Sequence, residues 1–322
     1  SQVTSINVSD FFFVLGRGLF PNFAARKILR CIGTISQDDV FIYTLPRFPL
    51  LGLLNKSCNV IYDISDNWVG QYKSKSIKSF FLKYFLSKSE KSIVCASKYI
   101  FASSTTIKNL YEKKYSCNIQ LAQNGVDFDQ ISSTKKIKLA DIKNKFRYII
   151  GFSGSLLNRE SKKIDFNLLN QIADHRQDCL MLLIGPYDSN PSKKIKLLRN
   201  KSNVIFLGLV DSSDIGGYIK NFDLALLPYL KNEFTSGIFP IKLYEYLACS
   251  IPISSINLPA AQHIFHSSDF LIQSANKSIF LDACDELLNR EMMPQDSNKL
   301  MELASEADWS NTFNLIKSHI SV

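Results

Sequence analysis

The sequence predicts an α/β protein built from two doubly wound, Rossmann-like domains. Short apolar runs of strand length alternate with amphipathic segments of helix length along most of the chain. Helices that separate such runs imply parallel strands joined by crossover connections. The length of 322 residues suits two domains, each large enough to bury its own core.

The first half of the chain contains the less regular series of predicted elements. Helices are predicted over residues 74–89 and 98–114. Residues 126–145 are polar and rich in lysine, which predicts a connection between the domains. The predicted strands are Val40–Thr44, Val60–Asp63, Ile93–Ala96 and Ile119–Gln123.

A second α/β series begins at residue 148 and continues to the end of the chain. Its strands are predicted at Tyr148–Phe152, Leu180–Ile184, Val204–Leu207, Leu224–Leu227 and Ile253–Ile256. Its helices are predicted at Phe166–Ala173, Lys193–Asn200, Asp214–Asn221, 241–250 and, as one continuous tail, Asn298–Ile320.

Composition argues against membrane-spanning and metal-binding classes. No uncharged apolar run approaches the roughly 18 residues of a membrane span, and no signal-peptide pattern surrounds the short apolar run Phe11–Leu15. The seven cysteines are scattered without a CxxC pair, as is typical of small buried side chains in a reducing compartment. No grouping of His, Asp and Glu has metal-ligand spacing.

Positive charge is concentrated in the first half of the chain. Residues 1–147 carry a net charge of +12 and residues 148–322 carry −3. The densest segment, 71–92, holds six lysines, one glutamate and an apolar stripe at helical spacing. Such a helix either lies on an anionic membrane surface or buries its stripe against a sheet, and we favour burial. No recognised DNA- or RNA-binding motif accompanies the charge, so no nucleic-acid partner is expected. The stripe consists of Ile77, Phe80, Phe81, Tyr84 and Phe85.

The segment FTSGIFPIKLYEYLACSIPIS, residues 234–254, predicts a loop, a helix and a buried strand. Pro240 suits a helix start, because its missing N–H has no intrahelical partner there. The free backbone N–H groups of such a helix end favour an anion such as phosphate. Lys242 adds positive charge in the first turn and Glu245 lies one turn further on. A solvated Lys–Glu pair on an ordinary amphipathic helix is the alternative.

Several segments, taken in order, resemble the GT-B glycosyltransferases, specifically bacterial family 4-like enzymes of surface-polysaccharide assembly. The resemblance extends from about Asp39 to the C-terminus and rests on the order and spacing of the segments. They are VIYDISDNW (60–68), IVCAS (93–97), NGVDF (124–128), IIGFSGSL (149–156), LMLLIGP (180–186), NVIFLGLV (203–210), DLALLPYL (223–230) and IFPIKLYEYLACSIPI (238–253).

The resemblance implies two domains that face each other across a cleft. Residues 1–135 would form an acceptor-side domain and residues 136–305 a nucleotide-sugar domain, with 306–322 packing back toward the first domain. The opening SQVTSINVSDFFFVLG lacks the first strand and Gly-rich turn of the family, and the chain starts without Met. We therefore expect an acceptor-side domain without its opening strands, as in a trimmed chain or a fragment of a longer protein.

The donor site is expected at the carboxyl ends of the strands of the second domain. Gly154, in the loop after the strand at 148–152, would let the backbone approach a diphosphate. The resemblance implies that Glu245 accepts hydrogen bonds from ribose hydroxyls and that Arg159, Lys163 or Lys242 neutralises the leaving diphosphate. For Arg159 and Lys163, a solvated basic turn is the alternative. The remaining expected donor contacts are Ser153, Ser155, Leu209, Val210, Ser236, Gly237, Ile238 and Phe239.

One family feature is absent, and the acceptor side is less defined. The family's fuller form has a glutamate at the position of Gly237, although a subgroup with a Pro-Ile/Leu-Lys sequence also lacks it.

On the acceptor side, Asp66 lies in the loop after strand Val60–Asp63. It would act as a base or orient the acceptor, or else would cap the next helix. The resemblance also implies a reaction without a bound metal or cofactor.

The sequence therefore predicts an enzyme that transfers a sugar from a nucleoside-diphosphate sugar, UDP rather than GDP, to a glycan or lipid-linked acceptor. Retention of configuration, a cytoplasmic location and peripheral contact with the inner face of the membrane are expected. Two alternatives remain open: a UDP-sugar 2-epimerase-like isomerase and a non-catalytic glycan-binding module of the same fold.

Overall fold

The computed structural model describes residues 40–46, 59–70, 77–139 and 145–320. They form two compact units, one made by the described residues up to Ala122 with those from Ser318 onward, the other by residues 123–317. The expected absence of an opening strand concerns residues 1–39, which lie outside the described residues. Within the described ranges, no helix is both long enough and apolar enough to cross a membrane.

The first unit contains a four-stranded parallel sheet in the order β1-β2-β3-β4. Apolar side chains of β2 and β3 fill its core, against which both of its long helices contribute buried residues. The strands are β1 (Val40–Tyr43), β2 (Asn59–Ile64), β3 (Tyr99–Ala102) and β4 (Gln120–Leu121), and the helices are α1 (Ile77–Ala96) and α2 (Thr105–Tyr115).

The prediction of a strand at Ile93–Ala96 is wrong, because these residues form the last turn of α1. Ile93 and Val94 are buried in the core, so the apolar run reflects burial rather than extended backbone. The strand lies just beyond, at Tyr99–Ala102, inside the helix predicted over 98–114. That helix starts later because Ser104 caps it, its hydroxyl accepting a hydrogen bond from Ile107 N at 3.2 Å.

Glu90 of α1 is the centre of a buried polar cluster. Its carboxylate is fully buried and accepts hydrogen bonds from Tyr111 Oη at 2.5 Å, Tyr115 Oη at 2.6 Å and Lys114 Nζ at 2.8 Å. Burial raises the pKa of both tyrosines, and the neighbouring carboxylate raises it further. The cluster therefore joins the C-terminal half of α1 to α2 through donors that stay protonated.

The aromatic stripe of α1 is not buried, contrary to the interpretation favoured from the sequence. Phe80, Phe81 and Tyr84 are each about half exposed, at 57%, 53% and 50%. The core of the first unit takes only Ile93 and Val94 from this helix. The inward-facing half of α1 is thus its C-terminal part, and the apolar stripe lies outside the core.

Residues 123–135, which the sequence analysis placed in the first domain, pack with the second unit. Here the chain forms a short helix, α3 (Phe128–Ser133), whose Ile131 belongs to the core of the second unit. A Cβ at Gly216 would lie 2.6 Å from Ile131 O, so only glycine permits this close packing. The polar composition suggested a simple connection between domains, but this segment contains a helix that packs on the second unit.

The second unit contains a six-stranded parallel sheet in the order β10-β9-β8-β5-β6-β7. The five strands predicted for this half are confirmed, and β8 and β9 match their predicted bounds at both ends. The strands are β5 (Tyr148–Ser153), β6 (Cys179–Ile184), β7 (Val204–Gly208), β8 (Leu224–Leu227), β9 (Ile253–Ile256) and β10 (Leu271–Ser274).

Helices separate these strands and complete the second unit. The sequence analysis missed α9 and the strand before it, and its single tail helix is two helices. They separate at Asp308, whose carboxylate accepts hydrogen bonds from Ser310 N and Phe128 N. The helices are α4 (Phe166–His175), α5 (Lys193–Arg199), α6 (Ile215–Ile219), α7 (Ile241–Ala248), α8 (Gln262–Phe265), α9 (Lys277–Asn289), α10 (Pro294–Glu306) and α11 (Trp309–Ile320).

Candidate functional site

The carboxyl ends of β5, β6 and β7 are joined by backbone hydrogen bonds that extend beyond the strands. Gly154 N donates to Ile184 O at 2.8 Å, and Gly185 N donates to Gly208 O at 2.8 Å. Because all three strands are parallel, the loops that follow them emerge on one edge of the sheet. The predicted loop residues Ser153, Gly154 and Ser155 lie at this edge, as expected.

Two of these loops approach so closely that a side chain cannot fit between them. A Cβ at Gly185 would lie only 1.9 Å from Gly154 O, and Gly185 has a φ of +139°. Glycine is therefore required by both space and backbone conformation. The result is a close main-chain contact without side chains at the end of the sheet, the kind of place where a phosphate group approaches the backbone in nucleotide sites.

Tyr246 of α7 attaches that helix to the end of β5. Its hydroxyl oxygen accepts hydrogen bonds from Ser153 N at 2.8 Å and from Ser153 Oγ at 3.2 Å. The ring is fully buried, and burial raises the pKa of the phenol, so it remains neutral. Sequence reasoning missed this residue, which fixes the distance between the loop after β5 and the helix carrying Glu245.

The hydroxyl of Ser155 is buried and has no hydrogen-bond partner among the described residues. A buried hydroxyl without a partner is unfavourable by about 1–3 kcal/mol. Because it lies in the Gly154 loop, a ligand oxygen there would relieve that penalty. Ser155 is thus the predicted loop residue whose side chain is available to a ligand.

The loop that precedes α7 is held in one shape by side-chain hydrogen bonds. Asn232 Oδ1 accepts from Phe234 N at 3.0 Å and from Thr235 N at 3.1 Å, and the buried Thr235 hydroxyl donates to Leu230 O. Asn124 Nδ2 donates to Phe239 O at 2.8 Å. Asn232 and Asn124 were not assigned a role from the sequence, although Asn124 lies in the segment NGVDF.

The residues predicted to contact the donor in this loop occupy its final turn. Thr235–Gly237 is a 3₁₀ turn, and Ile238 and Phe239 are buried between it and α7. Phe239 packs on Tyr244 and His263, with ring centres 5.4 and 6.1 Å apart. Burial lowers the pKa of His263, so its imidazole tends to be neutral. Ser236 Oγ donates to Glu233 O at 2.8 Å, so its hydroxyl hydrogen is directed within the loop.

Lys242 and Glu245 form an ion pair on the first turns of α7. Lys242 Nζ lies 2.8 Å from both Oε1 and Oε2 of Glu245. The glutamate side chain is 12% exposed and the lysine 30%. A carboxylate has about four acceptor positions, so Glu245 can still accept hydrogen bonds while it holds the lysine. The pair predicted as an alternative is therefore present, and it is compatible with ligand binding.

Arg159 and Lys163, the other predicted cations, share a single carboxylate. Arg159 Nε and Lys163 Nζ lie 3.5 and 3.7 Å from Glu160, on the 3₁₀ segment Asn158–Lys162. This segment is joined to the loop after β8, since Leu230 N donates to Lys163 O at 2.7 Å. The Arg159 side chain is 77% exposed, so it can move away from Glu160 toward an anion.

Leu209 and Val210 directly follow β7, as the sequence predicted for a base-contacting segment. Leu209 is 81% exposed, an unusual position for a large apolar side chain next to a strand end. Gly208 before it has a φ of +86°, which turns the chain away from the strand. An apolar side chain held at this edge offers a surface for a planar ring.

Asp66 lies in the first unit, in the loop that follows β2. Its carbonyl accepts a hydrogen bond from Trp68 N at 2.9 Å, and Asn67 Oδ1 accepts from Gly70 N at 2.9 Å. Asp63, at the end of β2, has a pKa raised by burial. The structure thus places both aspartates near the carboxyl end of β2, as predicted. Among the described residues, no group of His, Cys, Asp and Glu could hold a metal ion.

Comparisons with known proteins bear on the family and the fold of the chain. Residues 147–290 match the family described as glycosyl transferases group 1. A Bacillus subtilis protein described as the putative teichuronic acid biosynthesis glycosyltransferase TuaH is 26% identical over 286 residues, covering 87% of this chain and 71% of that protein.

Solved structures share the fold at low sequence identity. HepE from Anabaena, solved with UDP and glucose, has a TM-score of 0.68 at 14% identity and covers 94% of this chain and 83% of its own. Sucrose-phosphate synthase from Thermosynechococcus elongatus has a TM-score of 0.65 at 14% identity, covering 87% and 72%.

The chain has the fold of the GT-B glycosyltransferases, and the family match together with the TuaH relative supports a transferase. Its second unit carries a glycosyl transferases group 1 domain at residues 147–290. This assignment selects the transferase from the three alternatives left open by the sequence.

Proposed function

We propose that the enzyme transfers a sugar from a UDP-sugar to a glycan or lipid-linked acceptor during cell-surface polysaccharide synthesis. The observation that carries the proposal is the arrangement at one sheet edge of the Gly154–Gly185 main-chain surface and, on the helix fixed there by Tyr246, of Glu245. HepE, solved with UDP, supports the donor, and TuaH, described as a putative enzyme of teichuronic acid biosynthesis, supports the process.

In this proposal the second unit binds and orients the donor. Glu245 accepts hydrogen bonds from the ribose hydroxyls, and Leu209 and Val210 contact the base. The loop after β5, with Ser155 Oγ, and the loop before α7 hold the diphosphate. Ser236, Gly237, Ile238 and Phe239 surround the sugar. The first unit binds the acceptor, which Asp66 orients.

The proposed reaction retains the configuration at the transferred carbon. The acceptor hydroxyl attacks the anomeric carbon as the bond from that carbon to the β-phosphate oxygen breaks, and the hydroxyl proton passes to the departing phosphate. Negative charge develops on the departing phosphate as the bond breaks and before it takes the proton. Arg159, Lys163 and Lys242 stabilise that charge, since charge-assisted hydrogen bonds are about twice as strong as neutral ones.

We also propose that the enzyme needs no bound metal or cofactor and works in the cytoplasm, at the inner face of the membrane where a lipid-linked acceptor would lie. The cysteines in the described ranges are all free, which supports a reducing compartment. Loss of turnover after exhaustive chelation, restored by Mg²⁺ or Mn²⁺, would instead assign the charge stabilisation to a metal ion.

A thermal-shift screen with UDP, GDP, ADP and CMP tests the donor. UDP at 100 times its dissociation constant should stabilise the second unit by about 2.7 kcal/mol, and GDP should require a higher concentration. Release of UDP from a UDP-sugar only when an acceptor is present then tests transfer. Stabilisation by none of the four nucleotides would overturn the proposed donor site.

A further inference from the structure

The N-terminal half of α1 presents a large apolar surface that the described core residues of the first unit do not cover. Every described side chain from Ile77 to Ser89 is at least partly exposed. The largest are Ile77, Phe80, Phe81 and Tyr84, of which Ile77 is 79% exposed. Contiguous apolar surface of this kind marks a site of contact with another molecule or with a membrane.

These apolar side chains share one face of the helix with lysines. Tyr84, Lys88 and Lys91 follow one another at spacings of four and three residues, continuing the face that begins at Ile77 and Phe80. Lys88 Nζ lies 5.6 Å from the centre of the Tyr84 ring. Aromatic side chains therefore occupy one half of the face and cations the other.

The single carboxylate of α1 does not offset these cations at the surface. Glu90 is fully buried and is engaged by Lys114, Tyr111 and Tyr115 in the core of the first unit. The charged side chains on the described outer surface of α1 are therefore all lysines. A second copy of the same face would bring like charges together, which disfavours self-association through it.

We propose that this face of α1 lies in the headgroup region of an anionic lipid bilayer. The docking face is formed by Ile77, Phe80, Phe81, Tyr84, Lys88 and Lys91, with Lys83 at its side. Aromatic rings favour the interface between hydrocarbon and water, and each lysine near an anionic surface contributes about 1 kcal/mol. The helix lies on the bilayer, since it is too polar to cross it.

Flotation of the full chain with vesicles tests the docking face without donor or acceptor, so its outcome is independent of the proposed transfer. Phosphatidylcholine vesicles are compared with vesicles that also contain phosphatidylglycerol, at low and raised salt. The unaltered chain should float with the anionic vesicles and be released by salt.

Two matched pairs of variants locate the contact. The triple change Lys83→Gln, Lys88→Gln and Lys91→Gln should lower the partition coefficient on anionic vesicles about 100-fold. The same loss of charge on α5, by Lys193→Gln, Lys194→Gln and Lys196→Gln, should change it only a few fold. Phe80→Ala should lower it about 10-fold, whereas Phe313→Ala, at an equally exposed phenylalanine of α11, should leave it unchanged.

Equal flotation on neutral and anionic vesicles would overturn the proposal, as would equal loss in the α1 and α5 triple variants. A dimer in sedimentation that Phe80→Ala dissociates, with no flotation, would assign the face to a second copy instead. An unchanged urea midpoint of the first unit, followed by Trp68 fluorescence in a Trp309→Phe background, shows that the two α1 variants remain folded.

Discussion

Glu90 and Glu245 are both helical glutamates paired with a lysine, but their surroundings differ. Glu90 is fully buried and accepts hydrogen bonds from three side chains, Tyr111, Tyr115 and Lys114. Glu245 retains 12% exposure, and Lys242 is its one hydrogen-bond partner among the described residues. The first carboxylate is saturated by the fold, whereas the second keeps acceptor capacity for a ligand. Acceptor capacity, more than burial, separates a structural carboxylate from a binding one.

The largest effect is expected from Glu90→Ala. The change leaves two tyrosine hydroxyls and a lysine without their partner, and breaking a buried charge pair costs about 3–5 kcal/mol of unfolding free energy. The chain has two tryptophans, Trp68 in the first unit and Trp309 in the second. Urea unfolding followed in a Trp309→Phe background therefore reports the first unit. UDP affinity should be unchanged, and a stable Glu90→Ala chain would contradict the structural role.

Glu245→Ala should have the opposite effect, weakening UDP binding while leaving stability nearly unchanged. Losing hydrogen bonds to a charged acceptor should weaken UDP binding by about 1.5–3 kcal/mol, or roughly 10- to 150-fold. The midpoint of urea unfolding should change little, because one solvent-accessible ion pair is lost. Calorimetry with UDP measures the affinity, Glu302→Ala on α10 is the control, and Glu245→Gln should lose less. Unaltered affinity in Glu245→Ala would remove this carboxylate from the site.

Lys242→Gln distinguishes a direct contact between the lysine charge and the diphosphate from an indirect effect of the lysine on the position of Glu245. If Lys242 contacts the diphosphate, UDP should bind about 10-fold more weakly, the lower end for a charge-assisted hydrogen bond. Uridine, which has no phosphate, should bind as before. Equal weakening for uridine and UDP would show that the lysine only positions Glu245. Calorimetry with both ligands distinguishes the two outcomes.

The smallest effect is expected at a surface carboxylate. Two hydrogen bonds from Arg176, 2.8 Å each, lower the pKa of Asp178 to about 2. A depressed pKa stabilises the fold above the unfolded value of about 3.9, and this stabilisation is lost as the pH falls through about 2. Because the side chain is 42% exposed, solvent screening limits the gain to under about 1 kcal/mol. Asp178→Asn should therefore destabilise slightly at pH 7 and not at pH 2, and an equal change at both would exclude the ion pair.

The strands of the second unit could be predicted because a parallel strand buried on both faces is a continuous apolar run. Cys179–Ile184 and Leu224–Leu227 show this directly. Around Ile93 the same reasoning failed, since IVCA and YIFA are adjacent apolar runs and short runs cannot be assigned by periodicity. Packing of α1 on the core decided between them. Strand β10, LIQS, was missed, whereas β9, ISSI, with as many polar residues, was predicted because Pro252 marks the end of the preceding helix.

The candidate site likewise has features that could be predicted from local sequence and features that could not. The positions of Ser153–Ser155 and Glu245 follow from local sequence and the strand-end rule. The contact of Tyr246 with Ser153 spans 93 residues of sequence, and no local pattern encodes it. The exposed stripe of α1 was interpreted in the opposite sense because a helical stripe does not state which surface will cover it.

The contact between Gly185 and Gly154 O has a consequence for how donor preference can be altered. No side chain can be introduced at Gly185 without separating two loops, so this main-chain contact keeps the same shape whatever residues surround it. For the proposed donor, the phosphates would be held by an invariant part that cannot be tuned by substitution. Selectivity among sugars would then have to be engineered in side chains of the 234–239 loop, and selectivity among bases at Leu209 and Val210.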